Sequence, residues 1–208
     1  MLIPGDVCVT NKLPNLSLEK SAGGIVAGVD EAGRGPWAGP VVASAVILNQ
    51  KRVPAGINDS KKLTTDKRES LYDRILEYSV VGIGISTVEE IDALNILGAT
   101  KLAMQRAVAM LGSTEITLVL VDGNQPPALA YKTQAVIGGD EKCLSIAAAS
   151  IVAKVTRDRM MCELAGIHSE YGWERNVGYG TRHHQDALVK YGVTNHHRRS
   201  FRPIKELL

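Results

Sequence analysis

Aromatic side chains are scarce in this 208-residue chain: one phenylalanine, two tryptophans and six tyrosines make 4% of it. Any core must be filled by Ala, Val, Ile and Leu, and an apolar content of 45% supplies enough of them. Long hydrophobic runs are missing too; none approaches the ~18 residues a membrane span needs. No basic segment followed by an apolar stretch opens the chain, so a secretory signal is not expected. Cysteine is limited to Cys8, Cys143 and Cys162, with no C-x-x-C pair. That odd count predicts reduced thiols in a cytoplasmic protein and neither disulfides nor a zinc site. A phosphate loop of the G-x-x-x-x-G-K-[ST] type is also lacking, which argues against a small-molecule nucleotide enzyme.

What is present is unevenly charged. Residues 175–205 hold Arg175, Arg182, Lys190, Arg198, Arg199, Arg202 and Lys205 against Asp186 alone, a local net of +6. The whole chain carries +2, so the remainder is −4. An acidic body with a basic tail suits a metal centre beside a polyanion-binding surface. A solvated basic helix is the plainer alternative. The doublets His183-His184 and His196-His197 lack cysteines at zinc spacing and read as part of that basic surface.

Residues 1–24 show little periodicity and read as a loosely held extension ahead of a domain spanning 25–208. Apolar, Val-rich runs predict strands at 25–31, 40–48, 80–87, 116–121 and 133–137. Helical spacing predicts helices at 63–78 (capped by Thr64 or Thr65), 88–94, 96–111, 144–165 and 181–191. Strands cluster first and then alternate with helices, which predicts an α/β fold with a mixed sheet.

Four carboxylates stand where such a sheet could gather them. Asp30 and Glu31 end the first strand, Asp122 ends the fourth, and Asp140 follows Gly138-Gly139 just before the longest helix. Open α/β sheets build sites beyond the carboxyl ends of their strands. If the first and fourth strands are parallel neighbours, Asp30 and Asp122 share one crevice. Adjacent strand residues face opposite ways, so Asp30 and Glu31 meet there only if the strand twists or ends. Asp122-Gly123 also reads as a tight turn, and Asp140 as a helix cap. Asp158 lies four residues after Lys154 and is expected to form an ion pair with it. The turn Gly33-Arg34-Gly35 exposes backbone for close approach and places at its centre an arginine suited to phosphate. These parts point to metal-dependent phosphoryl chemistry on nucleic acid.

Taken together the motifs resemble the type 2 ribonucleases H, in particular the bacterial ribonuclease HII family, from about Val26 to Pro203. The resemblance is carried by Gly28-Val29-Asp30-Glu31-Ala32-Gly33-Arg34-Gly35-Pro36, Asp59-Ser60-Lys61-Lys62-Leu63 and Val121-Asp122-Gly123-Asn124. It continues through Gly139-Asp140, Ser145–Ile151, Ala153–Asp158, Gly178-Tyr179-Gly180-Thr181 and His197–Phe201. It implies a ribonuclease H-like fold: a five-stranded mixed sheet flanked by helices, with a helical C-terminal part over about 166–208. It implies an endonuclease that uses two Mg²⁺ or Mn²⁺ ions on RNA–DNA hybrids and at ribonucleotides embedded in duplex DNA. Cleavage 5′ to the ribonucleotide would leave 3′-hydroxyl and 5′-phosphate ends. The family's acidic metal-site positions fall on Asp30, Glu31, Asp122 and Asp140. Its ribose-reading loop falls on Gly33, Arg34 and Gly35, its phosphate-side lysines on Lys61 and Lys62, and its junction tyrosine on Tyr179. A monomer acting on nucleic acid, away from membranes, is expected.

Three positions depart from the family pattern. Cys143 stands where serine is expected, Asn176-Val177 replaces a common His-Lys, and Trp37 takes an aliphatic position. Two rivals remain at this point. A non-catalytic hybrid binder would gain nothing from clustered carboxylates. A DNA nuclease with a similar acidic site would not need the Gly33–Gly35 and Tyr179 segments.

Overall fold

The computed structural model describes residues 13–112 and 115–208; Cys8 lies outside them. Five strands form one sheet: β1 (Ile25–Ala32), β2 (Val41–Leu48), β3 (Ser79–Ser86), β4 (Ile116–Asp122) and β5 (Thr133–Val136). Their order is β3-β2-β1-β4-β5. β2 pairs antiparallel with both β1 and β3, while β4 runs parallel to β1 and β5. The sheet is therefore mixed, with β1 at its centre and the β1–β4 pair parallel as the argument about Asp30 and Asp122 requires.

Helices cover both faces. Ala27 and Val29 of β1, with Val41, Ala43 and Ala45 of β2, pack against α3 (Val88–Ala109). On the opposite face, alanines and Ile151 of α4 (Leu144–Ile167) pack with Val46 and with Leu71 and Ile75 of α2 (Thr65–Tyr78). The small residues predicted to let the long helix approach the sheet are buried there. The contact is close enough that a Cβ on Gly28 would strike the backbone of Ser145. α3 joins the two helices expected at 88–94 and 96–111. Asn95 interrupts it with φ 59°, and its Oδ1 accepts the Leu97 and Gly98 amides at 2.9 and 3.1 Å, so it caps the second stretch from within.

The segment before β1 is not loose over its described part. Ser17–Ala22 forms a short helix, α1. It is too short to stand on propensity, and tertiary contacts supply the reason. Glu19 is buried, and its Oε1 accepts the Ser145 amide at 2.9 Å and the Cys143 thiol at 3.0 Å. Cys143, the N-cap residue of α4, makes no side-chain cap bond itself. A glutamate 126 positions away thus serves an orphan amide in the first turn of α4 and complements its dipole. Burial, together with Glu19, pushes the Cys143 thiol up to about 12, so it stays protonated and donates. Glu19→Ala is expected to lower the unfolding free energy by about 1–3 kcal/mol, because the Ser145 amide is left buried and unmatched. Urea unfolding of the two proteins measures this.

The C-terminal part is helical, with α5 (Trp173–Asn176), α6 (Arg182–Tyr191) and α7 (Arg202–Lys205). Ala187, Leu188 and Ile204 close around Tyr171 and Trp173 in a separate apolar cluster against Met161 of α4. This part is less basic at its surface than its composition suggests. Arg175 pairs with Glu174, Arg182 with Asp186 and Arg202 with Glu206. Arg198 is buried. The histidine doublets are not a surface feature either, since His184 and His197 are fully buried.

Candidate active site

The register of β1 on β4 sets Val29 opposite Val121, so Asp30 and Asp122 leave the sheet side by side. Val26 and Leu120 pack on the α4 side of the sheet, and period-two alternation puts Asp30 and Asp122 on that side as well. Asp122 is fixed by an amide, as Gly139 N donates to its Oδ1 at 2.7 Å. That bond draws in the turn Gly139–Glu141, which carries Asp140. Asp140 is a member of this 3₁₀ turn and not the cap of α4, a place Cys143 holds. The Glu31 amide donates to Asp30 Oδ1 at 2.7 Å. Glu31 and Asp30, adjacent near the strand end, line one cleft of about 310 Å³ with Gly33, Lys61 and Tyr179.

The charges of these groups act on one another. Burial raises the Asp30 carboxyl well above its ordinary value, and Glu31, Asp122 and Asp140 push it further the same way. Glu31 is raised by burial despite Arg34, whose Nη1 lies 3.3 Å from its Oε1. Asp140 is raised by burial, then by Asp59 and Asp122. Lys61 answers this charge: burial opposes its proton, but Asp140 at 3.6 Å and then Asp59 outweigh that and hold it on. Lys62 turns away and pairs with Glu141 at 2.7 Å. The expected ion pair Lys154–Asp158 forms at 2.8 Å.

The donor set is all carboxylate oxygen, the chemistry of a hard divalent cation. Among the described residues no three such donors already converge as a formed metal cage. The net charge of the group still fits a divalent ion.

Sequence reasoning missed three contributors. Asp59 is buried at the start of the turn Ser60–Lys62, where it accepts the Lys61 amide and adds to the charge around Asp140. Its place just ahead of two lysines was the available signal. Arg157 and Arg198 are buried guanidiniums that bind carbonyls of the 33–40 loop. Arg157 donates to Ala38 and Pro40, and Arg198 to Gly33, Arg34, Gly39 and Pro40. Burial lowers them to about 10 and about 9 respectively, so both remain charged at neutral pH. With its carbonyls anchored inward, the loop is held at the cleft wall. Gly33 has φ +96°, and a Cβ there would collide with Arg157. A Cβ on Gly35 would sit 3.2 Å from Tyr179 Cε1, so the loop and Tyr179 meet across the cleft.

Of the departures from the family pattern, Trp37 packs over Gly180, where any Cβ would enter its ring. Asn176 is a local tie: its Nδ2 donates to Tyr171 O at 2.7 Å and its Oδ1 accepts Gly178 N at 2.9 Å. Val177 adopts φ 43°, a strained region for a β-branched residue. Its carbonyl is held by Arg157 Nη1 at 2.9 Å.

A mixed five-stranded sheet opening onto an acidic cleft at its centre defines a nuclease of the ribonuclease H-like class. The family model described as Ribonuclease HII matches residues 27–204. The ribonuclease HII of Rhizorhabdus wittichii is 58% identical over 193 residues, covering 93% of this chain and 95% of that one. The crystal structure of the ribonuclease H2 from Pyrococcus horikoshii superposes with a TM-score of 0.71 at 29% identity, over 88% of this chain and 97% of that one. Bst ribonuclease HIII, solved with Mn²⁺, gives 0.69 at 17% identity over 88% of this chain and 68% of that one, a likeness of fold alone. The chain belongs to the ribonuclease HII family and is an endonuclease that hydrolyses phosphodiesters.

Proposed function

We propose that, within the family's activity on the RNA strand of RNA–DNA hybrids, this chain also nicks duplex DNA 5′ to embedded ribonucleotides, leaving 3′-hydroxyl and 5′-phosphate ends. The observation that carries the reading is the meeting of Asp30, Glu31, the Gly33–Gly35 turn and Tyr179 in one cleft, with Asp122 beside Asp30 at the end of the parallel strand pair. Asp30, Glu31, Asp122 and Asp140 hold Mg²⁺ or Mn²⁺. When bound, such ions neutralise phosphate charge and acidify a water to act as nucleophile. Asp122 is oriented by the Gly139 amide on its Oδ1. Lys61 neutralises a neighbouring phosphate of the substrate, and Arg34 reaches another from the rim. Lys62 contributes charge at longer range. The Gly33–Gly35 backbone reads the 2′-hydroxyl, the group that separates RNA from DNA. Tyr179, about half exposed, packs its ring on the adjacent deoxyribose, where a second hydroxyl would crowd it. The chain works as a monomer in the cytoplasm, and residues 25–208 are its catalytic unit.

The test is a labelled duplex with one ribonucleotide, beside an all-DNA duplex, with Mg²⁺, Mn²⁺ or EDTA. A nick 5′ to the ribonucleotide, dependent on metal and absent from all-DNA, is the expected result. In the same assay Tyr179→Ala is expected to lose about tenfold in kcat/KM at the single ribonucleotide, with continuous hybrids less affected, as for one lost stacking contact. Cleavage of hybrids alone would overturn the junction assignment.

A further inference from the structure

His184 and His197 form a buried chain of hydrogen bonds that ends on Tyr179. His184 Nδ1 lies 3.0 Å from the Tyr179 carbonyl oxygen. A carbonyl can only accept, so Nδ1 carries the proton. Burial disfavours a second proton on His184, so its Nε2 is an acceptor. Trp173 Nε1 donates to that atom at 3.3 Å, and His197 Nε2 stands 3.0 Å from it. His197 must then be protonated at Nε2 and accept at Nδ1. There it receives the Thr194 amide at 3.0 Å, with the Thr194 hydroxyl 2.9 Å away. One tautomer pattern is consistent with these contacts, the single lone pair of each accepting nitrogen being shared by two donors, and it assigns which atom of each ring holds hydrogen.

The far end of this chain lies in a tight turn, where the Tyr179 amide donates to Asn176 O at 2.9 Å. Tyr179 sits between Gly178, at φ +86°, and Gly180, and follows the strained Val177. Its carbonyl also accepts the Thr181 amide at 2.8 Å, a bond internal to the same turn. The His184 bond ties Tyr179 itself to the buried C-terminal cluster, while Gln185 Nε2 holds the Gly180 carbonyl at 2.8 Å and Asn176 Nδ2 holds that of Tyr171 at 2.7 Å.

We propose that His184, held in its Nδ1–H form by His197 and Trp173, is a positioning residue for Tyr179, fixing the ring at the cleft and so setting the preference for a ribonucleotide–deoxyribonucleotide junction. This rests on the junction role given to Tyr179 above.

Two amide replacements separate positioning from core filling. His184→Asn sets an amide donor near the old Nδ1 and keeps the bond to the Tyr179 carbonyl. His184→Gln sets its amide near the old Nε2, keeps the acceptor for Trp173 and His197, and loses the Tyr179 bond. The readout is the ratio of kcat/KM on a single-ribonucleotide duplex to that on a continuous RNA–DNA hybrid, with urea unfolding measured alongside. Positioning predicts that His184→Gln lowers the ratio about tenfold while His184→Asn keeps it, despite the larger gap the shorter chain leaves. Core filling predicts the reverse order, with the ratio following stability, and that order would overturn the proposal. Adding His184→Gln to Tyr179→Ala is expected to lower the ratio no further than Tyr179→Ala alone. If Tyr179→Ala keeps the parental ratio, the junction reading itself fails. If it lowers the ratio and His184→Gln does not, only the His184 assignment fails. Should His184→Gln not fold, His184→Asn decides: a retained ratio supports the assignment and a lost one ends it.

Discussion

Asp30→Asn is expected to abolish metal-dependent cleavage while making the metal-free protein more stable at neutral pH. The activity loss should reach about a thousandfold or more, since a bound cation contributes several kcal/mol to the transition state. The stability gain follows from the cleft's own electrostatics. Asp30 is buried, and burial with Glu31, Asp122 and Asp140 raises its carboxyl well above 3.8. The folded state therefore binds a proton more readily than the unfolded chain between that ordinary value and the raised one. Stability falls as pH rises through this window, and at neutral pH the charged Asp30 works against folding. Asparagine keeps the shape and an acceptor for the Glu31 amide without the charge. A gain on the order of 1 kcal/mol is the usual size when a functional site is relieved. Below about pH 4 the advantage should fade, because the parent is then protonated in both states. Added Mn²⁺ should raise the urea midpoint of the parent and much less that of the variant. Retained cleavage with Mg²⁺ or Mn²⁺, or equal stabilisation of both by Mn²⁺, would remove Asp30 from the metal site. Asp122→Asn should be equally inactive with its fold retained, because the amide oxygen can still accept the Gly139 amide seen on Asp122 Oδ1.

The strands and the long helices were legible because their signals are local. Alternation, Val-rich runs and the split around Asn95 are all written in neighbouring residues. The pairing of Asp30 with Asp122 was legible as a conditional, and the parallel β1–β4 register satisfies the condition. What was not legible depended on distant partners. α1 has only six residues and no side-chain cap bond; its anchor is Glu19 reaching Ser145, which no local pattern reveals. The net charge of the basic tail depends on where its boundaries are drawn. A window of 175–205 leaves out Glu174 and Glu206, the partners of Arg175 and Arg202. The i,i+4 spacing of Arg202 and Glu206 was a signal in plain sight. The histidine doublets read as polar surface, yet only the His183 ring is exposed: His184 and His197 are buried and the His196 ring packs against His168. His184 shares a helix face with Ala187 and Leu188, both buried, and that spacing was the clue to its place.

Those buried residues change how the C-terminal part serves the site. It was expected to grip nucleic acid by charge. Within the protein, Arg198 binds the carbonyls of Gly33 and Arg34, and His184 binds the carbonyl of Tyr179. Two adjacent guanidiniums without a carboxylate partner at bonding distance among the described residues would be costly if their hydrogen bonds were fewer. Six of their seven recorded bonds reach carbonyls between Gly33 and Pro40. The segment is a scaffold for the 33–40 loop and for the turn that carries Tyr179. The salt dependence of binding should accordingly be shallower than its formal charge would give.

The second large effect is expected in acid. Burial, with His184 beside it, lowers His197 from 6.5 to about 3. Between those values the unfolded chain binds a proton at this residue and the folded one does not, so stability falls as pH drops through the window. A full proton difference is worth about 1.4 kcal/mol per pH unit. From pH 6.5 to 4 this single residue should cost the parent on the order of 3 kcal/mol. The carboxylates of the cleft oppose it. Asp30, Glu31 and Asp140 are raised, so each adds stability as pH falls through its own window. The net curve of the parent therefore mixes both signs, and a difference measurement is needed. His197→Gln removes the titrating group while leaving the carboxylates in place. Unfolding free energies of parent and variant, taken by urea at half-unit steps from pH 7.5 to 4, should run parallel above pH 7. Below that they should converge, the parent losing on the order of 3 kcal/mol more by pH 4. Parallel curves throughout would mean that His197 accepts a proton in the folded protein. The Thr194 amide would then have lost its acceptor, and the tautomer pattern that reaches Tyr179 through His184 could not hold at that pH.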